Sequence, residues 1–211
     1  MNYICSCKKE NFFNKKYAYW EDRNVTTDEL DIINFLEKYK NLRNKSILHV
    51  GLGNSYFAKK FYKQNKITGI TISKKEIDKA KSCNLSNYNF FLCDKYSTEF
   101  NNILLKNKFD LIIDTNLKSY SCCQKSFEFM MKNILKSINN NGMLITSING
   151  MKWFKELKPK LSFSFKKLFY FKLKEINGSK LNILKINELK YFSKKYNLKL
   201  SFDEKLCYLK K

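Results

Sequence analysis

Proline is nearly missing from this 211-residue chain, occurring once, at Pro159, and glycine occurs six times. With so few chain breakers there is no Pro- or Gly-rich linker to mark a boundary, and no internal repeat is visible, so one domain is expected. Arginine is almost as scarce: Arg23 and Arg43 are the two arginines among 41 basic residues. Arginine is the side chain suited to bidentate phosphate and guanine contacts, and its scarcity weakens a nucleic-acid reading of the formal net charge of +22. The lysines are spread over the whole chain. Lys, Asn and Ile, the residues with A/T-rich codons, are abundant together, so the charge has two readings: a solvated basic surface that records gene composition, or a face for RNA.

Histidine occurs once, at His49, and the seven cysteines include no Cys-x-x-Cys pair. A zinc site is therefore not expected, because Cys5-x-Cys7 has no second pair of matching spacing, and reduced thiols are expected instead of a disulfide framework. No apolar run approaches the roughly 18 residues of a membrane span. The amino terminus, with Cys5, Ser6, Cys7, Lys8 and Lys9, lacks the apolar stretch of a secretory signal. A cytoplasmic location is the expectation.

What is present is 44% hydrophobic residues, enough for one substantial core, in an alternating pattern. Residues 26–39 carry Leu30, Ile33, Phe35 and Leu36 at near-helical spacing behind a Thr26-Thr27-Asp28-Glu29 start. Strands are predicted over 46–50, 67–73, 88–93, 109–114 and 143–147, the last after an Asn140-Asn141-Gly142 turn, and helices over 55–64, 74–82 and 126–138. A helix over 187–196 precedes two short strands, 198–202 and 206–209. Their three-residue connection permits only an antiparallel pair. The fold class is α/β: a Rossmann-like, doubly wound, mostly parallel seven-stranded sheet ending in an antiparallel hairpin. Residues 1–45 form a helical entry segment and 46–211 the main domain. Within it, 150–186 is longer than a minimal crossover and rich in aromatics and lysines, either a substrate lid or core on an amphipathic helix. Tyr17, Tyr19, Trp20 and Arg23 are placed to close over a ligand or to pack as an entry segment.

The junction between the first strand and the next helix reads His49-Val50-Gly51-Leu52-Gly53-Asn54-Ser55. Glycines there let a ligand approach backbone N–H groups and a helix amino terminus. A dinucleotide fingerprint needs a third glycine where Tyr56 stands and an acid about 20 residues after the first glycine, where Thr71 stands, so a nicotinamide dinucleotide does not fit.

The loop resembles that of the class I S-adenosylmethionine-dependent methyltransferases, an acid followed by x-Gly-x-Gly-x-Gly, with His49 in place of the acid and Ser55 in place of the last glycine. The resemblance extends over roughly Tyr19 to Lys211. Ile67-Thr68-Gly69-Ile70-Thr71-Ile72-Ser73 looks like the second strand of those enzymes, with Thr71 where an acid often binds the ribose, as in the cyclopropane fatty acid synthase branch. Cys93-Asp94 matches the third-strand acid that receives the adenine amino group, and Phe109 to Asp114 the fourth strand, beyond which Asp114 to Tyr120 is the reaction zone. An Asn-Pro-Pro-Tyr signature is absent there.

The resemblance implies S-adenosylmethionine as cofactor, held by His49, Gly51, Leu52, Gly53, Asn54, Thr71, Ile72, Cys93, Asp94 and Asp114. Catalytic candidates are His49, Asp114 and Tyr120, with His49 either a base or a structural loop residue. The expected activity is O- or N-methylation of a small-molecule or sugar-type acceptor. The alternatives are an RNA methyltransferase and a noncatalytic S-adenosylmethionine- or nucleotide-binding protein.

Overall fold

A computed structural model describes residues 21–39, 42–152 and 183–211. Helix α1 (Thr27–Glu37) begins where the Thr26 hydroxyl accepts the Glu29 N–H at 3.2 Å, and it buries Ile32, Ile33 and Leu36 on one face. Strand β1 (Ser46–Val50), α2 (Tyr56–Phe61), β2 (Lys66–Thr71), α3 (Lys74–Ser82), β3 (Tyr88–Leu92), α4 (Thr98–Lys106) and β4 (Phe109–Asp114) follow in alternation. Then come α5 (Gln124–Ser137), β5 (Ile138–Ser147), the short α6 (Ile148–Met151), α7 (Ile186–Lys195), β6 (Lys199–Phe202) and β7 (Leu206–Lys210). Side-chain caps recur at the helix starts: Ser73 for α3, Ser97 for α4 and the Cys123 thiol for α5 each accept an N–H from the first turn.

The seven strands lie in the order β3-β2-β1-β4-β5-β7-β6. All pairs are parallel except those of β7, which runs antiparallel to both β5 and β6. The expected doubly wound sheet with a closing hairpin is therefore the one observed. Successive side chains alternate between two cores. Leu48, Ile70, Ile112 and Leu144 pack against α4, α5 and α7 through Phe100, Phe127, Ile134 and Phe192. Ile47, Ile67, Ile113 and Ile145 pack against α1, α2 and α3 through Ile33, Leu36, Phe57 and Ile77. Each such side chain, fully buried, contributes on the order of 2 kcal/mol of transfer free energy.

Besides the short α6 and an earlier end to β2, at Thr71 and not Ser73, two larger features differ from the sequence expectation. Helix α4 stands between β3 and β4, where the sequence reading has no element; its buried residues, Phe100 and Leu104, recur at helical spacing. The Asn140-Asn141-Gly142 segment is not a turn between a helix and a strand. β5 already begins at Ile138, which pairs with Phe109, and the register shifts between Phe109 and Leu111, with Asn141 at φ +64 absorbing the irregularity.

The winding direction reverses between β1 and β4, and ligands of open α/β sheets bind in the crevice outside the carboxyl ends at such a switch. Val50 at the end of β1 lies beside Asp114 at the end of β4 and Ile70 of β2, while Thr71 lies beside Leu92 of β3. The ends that carry the predicted site residues are thus level.

Candidate functional site

The loop after β1 has the conformation its glycines allow. Gly51 and Gly53 lie at φ +88 and +51, in the left-handed region, and a Cβ on Gly51 would meet nothing within 4 Å. The loop therefore opens onto free space there. Leu52 points the other way: its side chain is fully buried, and it packs over Gly69 so closely that a Cβ there would collide with Leu52 Cδ2 and the Tyr88 ring. Ser55 opens α2 at φ +63 without a side-chain cap, and its Oγ is buried with no hydrogen-bond partner. Asn54 accepts the Tyr56 N–H at 3.0 Å and donates to the Arg23 carbonyl at 2.7 Å, tying the loop to the chain before α1.

Carboxylates from outside the loop occupy its N–H groups. Ser73 and Glu76 have the spacing of a capping box, in which the glutamate turns back to the Ser73 N–H. Here that N–H is taken at 3.0 Å by the Thr71 hydroxyl oxygen. Glu76 instead reaches across to accept the Leu52 N–H at 3.1 Å and the Thr71 hydroxyl at 2.6 Å, and the Gly53 amide also favours its charge. Burial nevertheless raises its pKa above the ordinary range. Glu29 of α1 is the second such acid. Its carboxyl, facing the Phe57 N–H of α2 and repelled by Glu76, is pushed up by burial to about 7. Glu21 also lies buried within the field of Glu76, 3.4 Å from Lys75.

His49 lies on the opposite side of β1 from Leu48, with its ring 4.8 Å from that of Phe57 and Nδ1 buried without a partner. Burial lowers its pKa to about 4, so the ring is neutral at physiological pH.

At the end of β3, Cys93 is a buried thiol whose pKa burial raises to about 11, with Sγ 3.4 Å from Ser97 Oγ. Asp94 accepts the Tyr96 N–H at 2.9 Å. Lys95 crosses to β4: its ammonium lies 2.7 Å from Asp114 Oδ2, 2.9 Å from the Asn116 carbonyl and 3.3 Å from Ser119 Oγ. Asp114 is therefore a buried carboxylate paired with a buried lysine, and its other oxygen accepts the Asn116 N–H at 3.1 Å. Tyr120 is half-buried at φ +59.

Residues 41–200, most of the chain, match the family model described as a methyltransferase domain. The chain belongs to this methyltransferase family. Solved structures agree in fold. The N-methyltransferase NodS from Bradyrhizobium japonicum, in complex with S-adenosyl-L-homocysteine, superposes with a TM-score of 0.55 at 13% identity, over 94% of this chain and 92% of that one. Magnesium protoporphyrin IX methyltransferase from Synechocystis PCC 6803 gives 0.55 at 15% identity, over 90% of each chain. A TehB-like methyltransferase from Corynebacterium glutamicum gives 0.54 at 14% identity, over 88% and 87%. No curated protein matches by sequence.

In this methyltransferase the predicted residues fall into three groups. The Gly51–Asn54 backbone, Thr71 and Ile72 gather at the ends of β1 and β2, Cys93 and Asp94 follow β3, Asp114 ends β4 and Tyr120 lies in the loop after it. His49 is set back beneath the loop. Sequence reasoning did not single out Glu29, Glu76 or Lys95. A half-used capping box at Ser73–Glu76 is the signal that marks Glu76; Glu29 and Lys95 owe their places to contacts across elements. The 150–186 segment falls mostly outside the described residues, as do Tyr17, Tyr19 and Trp20. No described helix is long and apolar enough to cross a membrane.

Proposed function

We propose that this methyltransferase transfers a methyl group from S-adenosylmethionine to a small-molecule acceptor, by O- or N-methylation. The observation that carries the reading is the state of the glycine loop. The Leu52 N–H, and the amides of Gly53 and Phe57, already face Glu76 or Glu29. A pyrophosphate would meet two carboxylates there and few free donors. A nucleoside with a sulfonium and an ammonium group meets two acids beside the loop, Glu76 and Glu29, whose ionised form its charge favours. The acids missing at His49 and Thr71 are thus supplied from α1 and α3, which removes the main argument for a noncatalytic protein.

Bound there, S-adenosylmethionine supplies an already activated methyl group, so the chain has chiefly to align it with the acceptor. Gly51 and Gly53 admit close approach, Glu76 accepts the ribose hydroxyls while Thr71 orients it, Ile72 lies against the nucleoside, and the Cys93-Asp94 turn receives the adenine edge. Asp114 and Tyr120 line the acceptor side. His49, neutral and buried against Phe57, supports the loop and is too weak a base to take the acceptor proton at pH 7.

The net charge of +22 favours RNA as the second acceptor class. Incubating the protein with a cell extract and S-adenosylmethionine labelled in the methyl group separates the two. Label in the low-molecular-weight fraction is the expected result; label that ribonuclease releases from the polymer fraction assigns RNA instead.

A further inference from the structure

Lys95 sits one residue after the proposed adenine contact Asp94, yet its side chain serves the loop beyond β4. All three of its N–H groups have acceptors there, and both members of the Lys95–Asp114 pair are at least nine-tenths buried. Tyr96, the next residue, makes a second attachment: its buried hydroxyl donates to the Ser119 carbonyl at 2.9 Å. Its own N–H is held by Asp94. Three consecutive residues thus join the end of β3 to residues 114–119, two of them by direct contact.

The same loop is fixed on its far side. Lys118 pairs with Glu188 of α7 at 2.6 Å and lies 5.0 Å from the centre of the Phe127 ring. Thr115 presses its carbonyl against Gly150, where a Cβ would clash with it. A displacement of the 94–96 turn is therefore felt at 114–119 through the Lys95 and Tyr96 contacts.

We propose that Lys95 is a positioning residue that rigidly joins the cofactor's adenine end to the acceptor loop, so that occupation of Asp94 further restrains residues 115–120. The proposal rests on the cofactor reading above. Asp114 acts in it as the hydrogen-bonded partner of Lys95, a positioning group already engaged by that contact.

The test is hydrogen exchange of the full chain with and without S-adenosylhomocysteine, comparing wild type with Lys95→Met/Asp114→Asn. The double variant removes both buried charges together, so neither is left unpaired. In wild type the ligand slows exchange at 94–97 and at 115–120. In the variant the slowing persists at 94–97 and falls at least fivefold at 115–120. Equal slowing at 115–120 in both proteins overturns the proposal. Should the double variant not fold, Tyr96→Phe, which deletes one hydroxyl, gives the same readout at 118–120: reduced ligand-dependent slowing supports the link and unchanged slowing overturns it. If wild type fails to bind S-adenosylhomocysteine, the cofactor reading falls. The link is then judged on ligand-free exchange at 115–120, which is faster in the variants if Lys95 and Tyr96 hold the loop and unchanged if they do not.

Discussion

Replacing Glu29 by Gln removes the pH dependence of stability that this group imposes. Its carboxyl titrates near 7 in the folded chain against an ordinary value of 4.5. Between those values the unfolded chain has lost the proton and the folded chain keeps it. Stability therefore falls as pH rises through this window, at about 1.4 kcal/mol per pH unit and by roughly 3 kcal/mol across it, and stays lowered above it. His49 works in the opposite direction. Its folded value of about 4 lies below the ordinary 6.5, so its contribution is present above pH 6.5 and is lost as pH falls towards 4. From 4.5 to 6.5 the two slopes oppose each other, and wild type shows a shallow profile from this pair. Glu29→Gln keeps an amide oxygen for the Phe57 N–H but removes the titration, leaving the rise due to His49 uncovered. In urea unfolding at pH 4.5, 5.5, 6.5 and 8, the variant should gain on wild type from near zero at the lowest pH to about 2–3 kcal/mol at the highest. A difference that is the same at pH 4.5 and pH 8 refutes the placement of a desolvated carboxyl against α2.

Ser55→Gly should raise stability by about 1 kcal/mol, seen as a higher melting temperature, because it relieves a left-handed serine and removes a buried, unpartnered hydroxyl. Gly69→Ala forces Leu52 and Tyr88 apart; a loss of roughly 2 kcal/mol or more by urea unfolding is expected, with weaker S-adenosylhomocysteine binding as the loop lifts. Glu76→Gln retains the shape of the side chain and loses its charge. Calorimetry should show S-adenosylhomocysteine binding about tenfold weaker, a difference of roughly 1.4 kcal/mol.

The legible part of the fold was the part written in local periodicity. β1, its glycines, the span of α3 and the hairpin at the carboxyl end all follow from short-range patterns, and together they determine the winding and the place of the crevice. Helix α4 was equally local, with Ser97 as cap and Phe100 and Leu104 on one face, but the apolar stripe is short and bounded by polar residues that resemble a loop. The start of β5 was hidden because Asn140, Asn141 and Gly142 are turn-forming residues, and only pairing with β4 keeps them in the strand. The site was legible where glycines demand a backbone and illegible where side chains meet across elements. Nothing in sequence spacing shows that Lys95 pairs with Asp114 or that Glu29 faces α2. The acids that the loop lacks are in the sequence, one upstream on a helix that reads as core and one downstream in a motif that reads as a cap.

The central claim is that an acid-lined glycine loop selects an adenosyl nucleoside bearing an ammonium group over a dinucleotide. Parallel calorimetric titrations of the full chain with S-adenosylhomocysteine and NAD measure this directly. Binding of S-adenosylhomocysteine at roughly micromolar concentration or tighter, with no heat from NAD up to about a millimolar, is predicted. Saturable NAD binding, or silence towards S-adenosylhomocysteine, contradicts it.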